Sequence, residues 1–165
     1  MKEEKALQNR IIECLADNGQ YVVVGALCPG HPDLTTFKDG HSALIEIKDI
    51  SEMSENERFG TCLTRAQLPW MMHFQRNNYG TTFIAMRYKK KSMLFLVDSM
   101  PAVTFLKDSK VKDVLERSFT FVEVMPMVKY ILKFTKSIMK KAFLSHVPKI
   151  LYLLAERALI QLNGR

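Results

Sequence analysis

The sequence predicts an α/β fold: a mixed β-sheet flanked by helices, with an added helical segment at its C-terminal end. Three observations carry that expectation. Helix-like and strand-like segments follow in the order αβββαββ and then helices, the alternation that builds layered sheet-and-helix domains. Asp39-Gly40 stands between two short strand-like runs, and Asp-Gly is a favoured pair for a two-residue type I′ hairpin turn. Apolar residues make up 47% of the 165, enough for a core that needs no disulfides.

Residues 2–18 place Ala6, Leu7, Ile11, Ile12 and Leu15 at helical spacing, with Gly19 as the stop. The β-branched run YVVVGAL (21–27) reads as a strand, and the hairpin spans residues 30–49. SEMSENERFGT (51–61) is polar and acid-rich and reads as a mobile loop. Residues 64–78 read as a helix, with Pro69 confining its start or bending it. TTFIAMRY and SMLFLVD are strands joined by Lys89-Lys90-Lys91. A short helical stretch near Ser109–Arg117 leads to FTFVEV, and the chain from Met127 reads as helical. Residues 1–124 are expected to form the core domain, with 125–165 a basic helical extension packed on it.

Charge separates these two parts. Residues 1–124 hold 16 basic and 16 acidic side chains, whereas 125–165 hold eight basic residues and one acid, Glu156. A localised positive field raises the encounter rate with a polyanion such as nucleic acid. No apolar run approaches the roughly 18 residues that span a bilayer, so no membrane segment is expected. Cys14, Cys28 and Cys62 are odd in number and scattered, which suits a reducing cytoplasm, and no signal peptide is expected.

The hairpin holds the chemistry. If Asp39-Gly40 form the turn, Lys38 pairs with His41 and Asp33 falls opposite Glu46. Opposed residues of an antiparallel pair share a face, roughly 4.5–5.5 Å apart at Cβ. Lys48 points the same way, and Ile45 and Ile47 point to the other side. Two carboxylates this close repel each other unless one takes a proton or a hard divalent cation binds both. The competing reading makes Glu46 and Lys48 the solvated face of an alternating strand.

Pro32-Asp33, a hairpin and then Glu46-Ile47-Lys48 resemble the PD-(D/E)XK nuclease motif. The leading helix, the Thr64-x-x-Gln67 helix start, Gly80 and the apolar strand after it are similar to the Holliday-junction-resolvase-like and VRR-NUC branch, over roughly residues 3–98. The resemblance implies a restriction-endonuclease-like sheet and hydrolysis of DNA phosphodiesters, leaving a 5′-phosphate and a 3′-hydroxyl. It implies Mg²⁺ or Mn²⁺ held by Asp33 and Glu46, with the Ile47 carbonyl a further ligand and Lys48 the catalytic lysine. Gln67 corresponds to a glutamine often found at this site, and Thr64-x-x-Gln67 is equally a capping box. Glu4 is the best match for a leading-helix acid, with Glu3 and Gln8 as competitors. A homodimer acting on branched DNA, in a prokaryotic cytoplasm or that of a virus's prokaryotic host, follows from the same resemblance. The C-terminal helix HVPKILYLLAERALIQL offers an apolar dimer surface.

Two other readings share these residues: a non-cleaving nuclease-fold protein that binds DNA or a partner protein, and a restriction or repair nuclease on duplex DNA. Lys129, Lys133, Lys136 and Lys140 recur at helical spacing as one basic stripe. With Lys89, Lys90 and Lys91 they are candidate phosphate contacts, and a solvated helix face is the plainer alternative for the stripe. Cys28, His31, His41 and Cys62 match no common zinc spacing, and Cys62 has no evident histidine partner that would make it a nucleophile.

Overall fold

The computed structural model describes residues 2–25, 29–38, 41–76 and 81–137. The Asp39-Gly40 turn, Cys28, Gly80, Lys140 and the helix expected beyond it lie outside the described residues.

Helix α1 (Lys2–Asp17) forms because Leu7, Ile11, Cys14 and Leu15 recur on one face, and all four are buried. Gly19, at φ +69°, ends it in the left-handed conformation that glycine adopts without strain. Six strands follow in one sheet, in chain order across it: β1 (Tyr21–Val24), β2 (Leu34–Lys38), β3 (His41–Asp49), β4 (Thr81–Tyr88), β5 (Lys91–Val97) and β6 (Phe119–Phe121). Neighbours are antiparallel except β3 and β4, which run parallel because helix α2 (Gln67–Arg76) lies between them in the chain. The sheet is mixed, and the α/β expectation holds.

Two cores cover the two faces. Ala43, Ile45, Ile47, Phe83 and Ala85 pack against α1. Helix α5 (residues 124–137) joins that side, with Met127, Val128 and Ile131 fully buried. Ile84, Met86, Met93 and Phe95 face α2 together with helices α3 (Met100–Asp108) and α4 (Val111–Glu116). Strand β3 is therefore covered on both faces and paired on both edges, like a strand of a parallel sheet. Among the described residues no helix is long and apolar enough to cross a membrane.

Several details differ from the sequence reading. Helix α3 was not anticipated; Ser99 caps it by accepting from the Ala102 N–H, and Pro101 occupies its first turn. The expected loop at 51–61 is packed and tethered. Phe59 is fully buried, and the backbone N–H groups of Phe59, Val111 and Lys112 donate to Ser109, Glu57 and Glu55 carbonyls. Strand β1 stops at Val24, because Gly25 turns the chain at φ +100°.

Candidate active site

Opposed residues run from Leu34↔Ile45 to Lys38↔His41, the register that the Asp-Gly turn predicts. Asp33 stands immediately before β2. Past the end of that strand the Ile47 N–H has no ladder partner, and the Asp33 carboxylate takes its place: Oδ2 accepts the bond at 2.8 Å. The Asp33 carbonyl accepts from the Gly25 N–H at 3.0 Å, which fixes the residue from its other side.

Gly30 makes this placement possible. At φ +87° it carries the chain against the start of α2, and a Cβ there would lie 2.3 Å from the Ala66 carbonyl oxygen. His31 then packs edge-on against Trp70, with ring centroids 5.3 Å apart, and Trp70 stacks on Phe74. His31 is thus spent on α2, although the β2–β3 register carried past Leu34↔Ile45 would set it opposite Lys48. Among the described residues no group of three or more His, Cys, Asp and Glu side chains is placed to hold a metal.

Glu46 is fully buried, on the face it shares with Ile84 and α2. The solvated-face reading of β3 is therefore incorrect, because a strand paired on both edges and covered on both faces has no solvated side. One carboxylate oxygen, Oε1, is doubly engaged: Lys48 Nζ lies 2.5 Å away, and Gln67 Nε2 donates to it. The other, Oε2, is buried with no hydrogen-bond partner. The Thr35 and Thr82 hydroxyls, also without partners, flank Leu44 one pleat along on the same face.

Burial pushes the Glu46 carboxyl up to about 7; the Lys48 charge pulls against that, and Asp33 adds to it. For Lys48 burial opposes the ammonium, but the charges of Glu46, Asp33 and Glu4 outweigh it, and the group is held above its ordinary value. Lys48 is consequently a cation at neutral pH.

Gln67 unites two roles that the sequence offered as alternatives. Its Oε1 accepts from the Thr64 N–H at 2.7 Å, as a capping residue does, while its Nε2 reaches Glu46. Helix initiation and carboxylate orientation are one contact network. The first turn of α1 divides its groups: Glu4 lies close enough for its charge to act on Lys48, Glu3 accepts from Arg87, and the Gln8 side chain is held by Lys5 at 2.7 Å. Cys62 also lies within the field of Lys48, Glu46 and Glu4, and burial pushes its thiol up to about 12, so it stays protonated.

A hard divalent cation suits this donor set. Such ions bind through one or two carboxylates plus waters, so a two-acid site with a neighbouring carbonyl suffices. The orphaned Oε2 is a buried carboxylate oxygen without a protein hydrogen-bond partner, a position that a proton, a water or a cation can satisfy.

The basic residues are not gathered here. Lys129, Lys133 and Lys136 are exposed on α5, which covers the α1 face, while Glu46 and Lys48 point to the α2 face. Lys89, at φ +56°, lies 3.7 Å from Glu55 and over the Tyr88 ring. Lys90 and Lys91 instead border a groove beside α1 that Arg10 and Arg87 also line. The sequence reading passed over both arginines, since nothing in their spacing marks them.

Fold and site together define a mixed-sheet α/β domain with a buried acid–lysine cluster on a central strand. No family model matches the sequence, and no curated protein matches it. Among solved structures the chain is similar to Hjc, a Holliday junction resolvase from the archaeal hyperthermophile Archaeoglobus fulgidus. The two share 16% identity at a TM-score of 0.43, over 74% of this chain and 92% of that one.

Proposed function

We propose that this protein is a divalent-metal-dependent endonuclease that hydrolyses DNA phosphodiesters, acts on branched or junction-containing DNA, and works as a homodimer. The observation that supports it best is the unpartnered, fully buried Oε2 of Glu46 beside Asp33 and the Lys48 ammonium. In this reading Asp33, Glu46 and the Ile47 carbonyl hold Mg²⁺ or Mn²⁺, with Glu4 as the leading-helix acid. The bound ion lowers the pKa of water and offsets charge on the phosphorane-like transition state.

The chain's own groups do the rest. Gln67 fixes Oε1 of Glu46 and so leaves Oε2 as the oxygen offered to the site. Lys48 stays protonated, which makes it an electrostatic and orienting group: it holds the attacking water in line and faces the developing negative charge. Lys89, Lys90, Lys91 and the α5 lysines contribute phosphate contacts in this reading. The α5 lysines do so only for DNA that passes around the sheet, because they lie on the opposite face.

A cleavage panel tests it: four-way junction, flap, single strand and linear duplex, each with Mg²⁺ or Mn²⁺. Cutting that Asp33→Ala and Lys48→Ala both abolish is the expected result. No cutting with either metal, together with salt-sensitive DNA binding that ignores EDTA and Glu46→Ala, would establish the non-cleaving reading instead.

A further inference from the structure

Four basic residues border one shallow groove beside α1. Arg10 comes from α1, Arg87 from the end of β4, and Lys90 and Lys91 from the β4–β5 turn, while Ser92 and Val124 complete the walls. Arg10, Lys90 and Lys91 are exposed. In the triple-lysine turn Lys89, at φ +56°, goes to Glu55, whereas Lys90 and Lys91 border the groove, Lys91 from the strand position opposite Tyr88. Among the described residues two acids stand beside this cluster, Glu3 and Asp49, the latter opposite Arg87 in the β3–β4 ladder. Glu3 accepts from Arg87, and at 57% and 37% exposure the two side chains form a pair that water and salt compete with easily.

The groove adjoins the acid cluster through two short connections. In the parallel ladder Arg87 lies opposite Asp49, and Met86 lies opposite Lys48, so the groove begins one residue beyond the lysine. Adjacent residues of a strand face opposite ways, which puts Arg87 on the α1 side and Lys48 on the α2 side. The first turn of α1 joins them: Glu3 is on Arg87, and its neighbour Glu4 acts on Lys48.

We propose that this groove binds the phosphodiester backbone flanking the cleaved bond, and that Glu3 occupies Arg87 until a phosphate displaces it. The inference rests on the nuclease reading and adds to it a binding track and a built-in competitor. A phosphodiester offers Arg87 two non-bridging oxygens for a bidentate contact of the kind a carboxylate makes, and it offers the lysines point-charge contacts. Val124 supplies an apolar wall suited to the sugar. Such contacts position the substrate without reading its sequence, as structure-directed binding requires.

The test is fluorescence anisotropy in EDTA, so that cutting does not enter, with a labelled four-way junction and a linear duplex across a salt series. Three chains are compared: wild type, the combined Arg10→Ala, Lys90→Ala, Lys91→Ala variant, and Glu3→Gln. Circular dichroism establishes that each is folded. The combined variant should bind at least about tenfold more weakly, and its log Kd should depend less steeply on log salt, by about one unit per lost phosphate contact. Glu3→Gln should bind up to about fivefold tighter, a change of opposite sign that loss of packing would not give. Wild-type binding with an unchanged salt slope in the combined variant and no gain from Glu3→Gln would overturn the groove and leave the nuclease reading standing. A wild type that neither binds nor cuts any of these nucleic acids would remove both. Intact DNA binding by the combined variant, with loss of its binding to phosphatidylserine vesicles, would reassign the groove to an acidic membrane surface.

Discussion

The buried Glu46 carboxyl makes stability depend on pH in a direction opposite to that of most paired acids. Its proton is held to about 7 in the folded chain, against 4.5 for the ordinary group. Between those values the folded state binds a proton that the unfolded state has released, so stability is greatest below about 4.5 and is lost as pH rises through about 7. At about 1.4 kcal/mol per unit, the loss is on the order of 3 kcal/mol. Glu46→Gln keeps the shape and the contacts of a neutral carboxamide and removes the titration. Denaturant unfolding in EDTA at intervals from pH 4.5 to 8 measures the difference. Wild type should lose most of that stability across the window, and Glu46→Gln should lack this component. Mg²⁺ at pH 8 should return part of it to wild type alone; a site at 100-fold saturation adds about 2.7 kcal/mol. Parallel pH profiles for the two proteins would refute the reasoning, because Glu46 could not then be a carboxyl that burial forces to keep its proton.

Three further perturbations act on separate supports of the site. Gln67→Ala removes a donor from a buried carboxylate and an acceptor from the Thr64 N–H, so unfolding should become easier by about 1–3 kcal/mol. The same variant should cut more slowly while keeping its DNA affinity, as kcat and Kd measurements would show. Gly30→Ala forces a Cβ into the Ala66 carbonyl at a left-handed φ, and should cost about 2–4 kcal/mol in chemical denaturation and displace Asp33. Phe59→Ala empties a fully buried position in the segment that the sequence presents as a loop, and should cost about 3–5 kcal/mol; a change below about 1 kcal/mol would mean that the segment is not packed.

Much of the hairpin was legible because its determinants are local. One Asp-Gly pair sets the register, the register sets the faces, and Ile45 and Ile47 fall on the core side as alternation requires. Helix α1 was equally plain from Leu7, Ile11 and Leu15. What escaped depends on distant parts of the chain. Glu46 reads as half-exposed in an alternating strand, and only pairing with β4 and the α2 crossover bury it completely. Helix α3 follows β5 almost without a connection, so the strand's apolar run hid Ser99 as its cap. Phe59 was the lone aromatic side chain in a polar stretch, a signal outweighed by its neighbours. The lysine stripe on α5 was visible as a stripe, but its position on the face away from Glu46 is set by Met127, Val128 and Ile131 docking beside α1, which no local pattern states. Gln67 was ambiguous for a good reason, since the two readings of it describe opposite ends of one amide.

Calorimetric titration of metal-free protein with Mn²⁺ at pH 8, for wild type, Asp33→Asn, Glu46→Gln and Lys48→Ala, addresses the site itself. Saturable binding by wild type that both acid variants lose and Lys48→Ala retains is the predicted outcome. Equal binding by all four chains, or heat indistinguishable from dilution in wild type, would contradict a cation bridging Asp33 and Glu46.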